Sequence, residues 1–222
     1  MKICAISDTH GLHRSLEIKP SDILCIAGDI SPLEIQGRKQ AMLEWLKYDF
    51  IPWCETLPVD KVILTPGNHE LAVSHMENEV RALFKNTKVV YLIDELYIYN
   101  NYKIWGTPWC SIFGNWAYMK LPEFEEERFM RMPEDIDILI THDPPYGACD
   151  ICLEHPRGYY EHIGNKELAK AVSIKKPKIV LCGHLHTGKS RETFDNSINV
   201  YNVSVVNEQY NIYREPLYLE IV

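Results

Sequence analysis

Five short blocks of this 222-residue chain bring together side chains that bind cations. They are Asp8-Thr9-His10, Gly28-Asp29, Gly67-Asn68-His69, His142 and Gly183-His184-Leu185-His186. Two carboxylates, an amide oxygen and a set of imidazoles make a hard-to-borderline donor set, suited to manganese, iron, zinc or similar divalent ions. A carboxylate placed as Asp29 is can bridge two ions about 3.5–4 Å apart, the separation that two-metal hydrolases use. The one-residue gap in Asp8-x-His10 and in His184-x-His186 puts each pair on one side of an extended backbone. Gly28, Gly67 and Gly183 let the chain turn sharply and bring the donors close. Two cations so held lower the pKa of a shared water toward neutrality and supply a hydroxide nucleophile.

Each block follows a short apolar run rich in β-branched residues. These runs are Lys2–Ser7, Ile23–Ala27, Lys61–Thr65, Ile136–Thr141 and Ile179–Cys182. Their near-continuous apolarity predicts strands covered on both faces. In open α/β sheets, sites form beyond the carboxyl ends of the strands, so the five blocks are expected to converge. Helical spacing marks Gln40–Ile51, with Met42, Leu43, Trp45, Leu46 and Phe50 on an i, i+3, i+4 rhythm, and also Glu70–Phe84 and Asn165–Ser173. Val89–Leu92, Leu96–Tyr99 and Tyr102–Trp105 read as a meander, and the tail from 198 to 222 is strand-rich. With no linker or repeat, residues 1–222 are expected to form one domain of α/β or α+β class, a two-sheet core with helices outside.

Taken singly, each block is weak: Asp29 alone suits a helix N-cap and Asn68 a turn. Their conjunction, in order and each at a strand end, uses five of the nine histidines. The full set, DxH, GD, GNH, H and GHxH from Asp8 to His186, resembles the calcineurin-like metallophosphoesterases. Gly106–Trp109, Asn115–Met119 and Thr141–Gly147 are similar to the Mpped-type branch of that family and its bacterial relatives. The resemblance implies a four-layer α/β/β/α sandwich and a dinuclear metal centre, with manganese the expected ion in vitro. It implies that Asp8, His10, Asp29 and His186 hold one ion. Asp29 as shared bridge, Asn68, His142 and His184 would hold the other. It implies catalytic roles for His69 and Asp29: His69 faces the phosphate beside Asn68 and serves the leaving group. Many relatives carry a second acid a few residues after the bridging aspartate, whereas here Pro32 and Leu33 precede Glu34.

The expected activity is hydrolysis of small phosphodiesters, cyclic nucleotides among them. A phosphomonoesterase is the alternative. A non-catalytic scaffold ranks lower, because a scaffold of this fold lacks the GNH histidine that is present here as His69. Composition narrows the partners. The formal charge is −8 and no basic stripe is visible, which disfavours long nucleic acids. No apolar run approaches the roughly 18 residues of a membrane span. Cys4, Cys25 and Cys182 fall in strand-like runs, and the chain opens directly into MKICAIS, so a reducing, cytoplasmic setting is expected. Cys149 and Cys152 have zinc-knuckle spacing without a second pair, so no structural zinc is expected there. His13, His75, His155 and His162 read as surface residues, with His13 near enough to His10 to reach substrate. Trp109 and Trp116 are the aromatics placed to stack on a ligand ring.

Overall fold

A computed structural model describes residues 1–151 and 161–221. Cys152 and His155 lie outside the described residues. Among the described residues eleven strands form two sheets. The first has the order β11 (Leu217–Glu220), β1 (Lys2–Ile6), β2 (Ile23–Ala27), β3 (Lys61–Thr65) and β4 (Val89–Tyr91). The second runs β5 (Glu95–Tyr99), β6 (Tyr102–Thr107), β7 (Ile138–Thr141), β8 (Ile179–Cys182), β10 (Ile198–Asn202) and β9 (Arg191–Phe194). Strands β1 to β4 pair in parallel, as do β6, β7, β8 and β10. The antiparallel strands β5, β9 and β11 sit at sheet edges.

Alternation along these strands builds three apolar layers. Ile3, Ala5, Ile23, Cys25 and Ile63 of the first sheet meet Ile104, Ile138, Ile140 and Leu181 of the second, forming the core between the sheets. On the outer face of the first sheet, Cys4, Ile6, Leu24, Ile26 and Leu64 pack under Met42, Leu46, Phe50, Trp53 and Phe84. These come from α1 (Lys39–Trp45), α2 (Ile51–Thr56), the π-helical turn Leu46–Phe50 between them, and α3 (Glu77–Phe84). Leu139, Val180, Cys182 and Val200 of the second sheet pack under α4 (Pro122–Met130) and α5 (Lys166–Lys175) through Phe129, Leu168 and Val172. The order is α/β/β/α. It explains why the strands read as apolar throughout: both faces are covered.

Four local expectations change. The three segments read as a meander divide between sheets: β4 joins β3 in parallel, and only β5 and β6 form a hairpin. Local pattern marks a strand but not its partner. The first helix continues to Thr56, because the π turn accommodates Pro52, which lacks an N–H to donate. Residues 70–84 are not one helix: Glu70 turns inward, and regular α geometry starts at Glu77. The strand expected from Ile136 begins at Ile138. No helix among the described residues is long and apolar enough to cross a membrane.

Candidate metal centre

β1, β2, β3, β7 and β8 end at one rim of the sandwich, and each delivers its block there. Backbone hydrogen bonds lock neighbouring strand ends together: Asp8 N–H to the Gly28 carbonyl, His10 N–H to the Asp29 carbonyl and Gly183 N–H to the His142 carbonyl, each 3.0 Å. The turns that follow are tight. Asp8, His10, Asp29 and His184 all adopt left-handed φ, at 56°, 43°, 53° and 68°. Each such residue costs on the order of 1–3 kcal/mol, strain of the kind that gathers at functional sites. Of the three glycines read as sharp turns, only Gly28 has positive φ, at 93°. A Cβ at Gly28 would lie 2.5 Å from His142 Nδ1, and one at Gly67 would lie 2.7 Å from the same atom. The second position therefore needs glycine for close approach rather than for its turn.

The donors fall into three groups whose ligand atoms lie within 4.8 Å of one another: Asp8, His10 and His186; His10, Asp29 and His69; and Asp29, His142 and His184. Asp29 stands between the other two sides, its Oδ2 lying 3.2 Å from His142 Nε2, 3.9 Å from His10 Nε2 and 4.0 Å from His69 Nε2. Asn68 Oδ1 lies 2.9 Å from His142 Nε2, and Asp8 Oδ1 3.5 Å from His186 Nε2. The seven residues expected to hold ions, with His69, are thus brought to one place.

The donor set fits a pair of cations. His142 Nδ1 donates to the Ala27 carbonyl at 2.7 Å, and His186 Nδ1 to the Asn207 carbonyl at 3.1 Å. Those bonds leave each Nε2 with its lone pair aimed inward, the arrangement outer hydrogen bonds give metal-binding histidines. Nε2 of His142, Oδ1 of Asn68 and Oδ2 of Asp29 then converge on one point, which a metal ion, or in its place a proton on His142, reconciles. Both ring nitrogens of His10 are buried without a hydrogen-bond partner. Burial pushes the His10 imidazole down to about 4, keeping it a neutral donor. For His142 burial also acts downward, but the Asp29 carboxylate lifts it to about 10, a measure of how strongly this position favours positive charge. Burial would raise Asp8, yet the hydrogen bond and charge of His186 bring it down to about 2.

Other side chains support the centre without belonging to the expected blocks. Glu70 is 1% exposed and accepts four hydrogen bonds: from the N–H of Gly67 (2.5 Å), Asp29 (2.8 Å) and Ser31 (3.0 Å), and from Ser31 Oγ (2.8 Å). It clamps the GD turn to the GNH turn; its position directly after His69 was the available signal. Gln36 Oε1 accepts from His69 Nδ1 at 2.6 Å, while Glu34, the nearest acid in sequence, is exposed. Asp143, 2% exposed, lies with Oδ1 3.9 Å from His184 Nε2. Tyr210 sets its ring edge-on to His10 and His186 at 4.8 and 5.3 Å. Nothing in the local pattern around Gln36, Asp143 or Tyr210 signals these contacts.

Two aromatic expectations and one histidine are corrected or narrowed. Trp109 is buried, its Nε1 donating to Asp94 Oδ1 and Oδ2 at 3.0 and 2.9 Å, so it does not face a ligand. Trp116 does lie at the site, its ring 4.5 Å from that of His69. His13 is not a surface residue: it is fully buried against Trp45, Phe50 and Trp53, away from the donors. His75 and His162 are exposed, as expected.

Comparison with known proteins agrees with this geometry. A family model described as calcineurin-like phosphoesterase matches residues 1–188. The human metallophosphoesterase domain-containing protein 1 is 27% identical over 246 residues, covering 99% of this chain and 71% of that protein, and the mouse protein gives the same figures. Among solved structures, the phosphopantetheinyl hydrolase of Mycobacterium tuberculosis superposes with a TM-score of 0.58 at 16% identity, covering 94% of this chain and 90% of that one. A protein of Thermus thermophilus superposes at 0.57 and 14% identity, with 90% and 88% covered. At these identities the structural likeness concerns the fold.

Proposed function

Because the chain belongs to the calcineurin-like phosphoesterase family, whose members are metal-dependent hydrolases of phosphoric esters, we propose that it is a phosphodiesterase for small organic diesters. The observation that carries this reading is the carboxylate richness of the site. Asp8, Asp29 and Asp143 are each at most 2% exposed, the first two within the donor groups and Asp143 beside His184. Two divalent ions would bring four positive charges, of which the three aspartates offset three; the one that remains is balanced by a singly charged diester and exceeded by a doubly charged monoester. A diester is the better electrostatic match.

Asp8, His10, Asp29 and His186 would hold one divalent ion, and Asp29, Asn68, His142 and His184 the second. When bound, the two ions supply Lewis acidity toward the phosphate and an activated water as nucleophile. The chain's own contribution is placement. Asp29 sets the separation of the two subsites. His69 donates Nδ1–H to Gln36, so any proton exchanged with a leaving alkoxide passes through its Nε2. General acid catalysis of that kind contributes roughly 10²–10⁴-fold. Asn68 and His69 line the place for the phosphate. The six described cysteines are all buried free thiols, which supports a reducing, cytoplasmic setting.

The test is turnover of bis-p-nitrophenyl phosphate beside p-nitrophenyl phosphate by Mn²⁺-loaded protein, with a chelator control. Chelator-sensitive turnover with higher kcat/KM for the diester is expected. Higher kcat/KM for the monoester overturns the diesterase reading in favour of a phosphatase.

A further inference from the structure

The segment from Ser111 to Ala117 follows β6 and is tied at its base to both donor-bearing turns. Ser111 N–H donates to Asp143 Oδ2 at 2.9 Å, next to His142 in the chain. Ala117 N–H donates to the Asn68 carbonyl at 3.0 Å, and Cys110 N–H closes the loop on the Tyr118 carbonyl at 3.0 Å. From this fixed base two aromatic rings reach the site at different ends. The Trp116 ring lies 4.5 Å from that of His69, and the Phe113 ring 5.2 Å from that of His184. His69 is grouped with His10 and Asp29, whereas His184 is grouped with Asp29 and His142, so the two rings adjoin different donor groups that share Asp29.

Phe113 is open to a ligand, and Trp116 is half-buried against His69. Phe113 is 58% exposed and its neighbour Ile112 is 53% exposed. Trp116 also walls a cavity of about 390 Å³ together with Leu71, Ser74 and Asn115, beside the centre and lined by none of its donors. Large apolar side chains left in water at the mouth of a polar site are surfaces that a ligand's own ring can cover, offset-stacked or edge-on.

We propose that Phe113 and Trp116 form a two-sided clamp for a phosphodiester whose ester groups carry flat rings, aryl or nucleobase. The proposal rests on the phosphodiesterase reading and names its substrate class. Trp116 serves the departing group, because its ring lies beside that of the histidine assigned to the leaving oxygen. Phe113, beside His184, serves the group that stays on phosphorus. A monoester has no such second group, so Phe113 is the specificity-determining residue between the two substrate types.

Binding is measured first, by calorimetry on Mn²⁺-loaded protein with diphenyl phosphate, the phenyl ester of thymidine 5′-phosphate, and dimethyl phosphate. At least one ring-bearing probe is expected to bind about tenfold or more tighter than dimethyl phosphate. Phe113→Ala removes most of that advantage and Phe113→Tyr keeps it. Equal affinities for all three probes, or an advantage that survives Phe113→Ala, overturns the clamp. Turnover then tests the sides: Phe113→Ala is expected to lower kcat/KM for bis-p-nitrophenyl phosphate more than for p-nitrophenyl phosphate, and Trp116→Ala to lower both alike. Equal loss in Phe113→Ala overturns the assignment of that side. A protein that prefers ring-bearing probes yet hydrolyses neither ester keeps the clamp and overturns the hydrolytic reading. One that hydrolyses esters without any ring preference does the reverse.

Discussion

His69 Nδ1 lies 2.6 Å from Gln36 Oε1, and the Gln36 carbonyl accepts from Ala72 N–H at 2.7 Å. A neutral amide seven residues after Asp29 thus holds the His69 ring. The amide fixes the imidazole and its tautomer without adding charge. Gln36→Leu is expected to lower kcat roughly 10–100-fold on esters with poor leaving groups, less on p-nitrophenyl esters, with metal content unchanged. Gln36→Glu should restore most of the rate. Equal loss on all leaving groups would show that Gln36 does not act through His69.

The convergence of lone pairs on Asp29 makes the fold sensitive to metal. An ion at a hundredfold excess over its Kd adds about 2.7 kcal/mol of stability. Two ions should therefore raise Tm by on the order of 10 °C in a chain of this size. Thermal unfolding with saturating Mn²⁺ and with excess chelator measures this. His10→Ala, which removes the donor with two unpartnered ring nitrogens, should reduce the bound stoichiometry from two ions to one. A Tm indifferent to chelator contradicts the prediction.

Glu70 satisfies four buried donors, three of them backbone N–H groups. Each donor left unpaired costs about 1–3 kcal/mol. Glu70→Ala is therefore expected to destabilise the protein by at least ~3 kcal/mol in urea unfolding and to weaken metal binding, since the turn carrying Asp29 loses its clamp. A loss below ~1 kcal/mol would mean that water replaces the carboxylate.

His13 gives the fold an acid-sensitive point remote from the metals. Its ring is enclosed by three aromatics with neither nitrogen hydrogen-bonded, and Asp49 Oδ2 is 3.6 Å away. Burial lowers its pKa to about 4, Asp49 opposing and Arg14 adding to the shift. The folded pKa is below the unfolded value of about 6.5, so the unfolded chain binds the proton first. Stability from this group is complete above about pH 6.5 and is lost as pH falls toward 4, by on the order of 3 kcal/mol. His13→Phe, which suits the aromatic enclosure, should shrink the difference in unfolding free energy between about pH 7.5 and about pH 5. An unchanged difference places the acid sensitivity elsewhere.

Much of the centre was legible in the chain because its donors are local to strand ends. Lys2–Ile6, Ile23–Ala27, Lys61–Thr65 and Ile179–Cys182 declare themselves by continuous apolarity, and the residues just after each are constrained to the rim. The partners of those donors were not legible. Gln36, Asp143, Tyr210 and Trp116 meet the histidines from loops whose composition signals only a turn.

The sequence by itself determined which residues reach the rim: strand period and length decide where Asp8, Asp29, Asn68, His142 and His184 leave the sheets. It determined the two-sided burial of those strands as well. Only the tertiary structure decided which strands pair, sending Val89–Tyr91 to one sheet and Glu95–Tyr99 to the other. It alone brought the His69 imidazole to Gln36 and set Trp116 beside His69 and Phe113 beside His184. The physical reason is range. Strand burial and turn geometry are written in neighbouring residues, whereas sheet partners and second contacts depend on the packing of segments far apart in the chain.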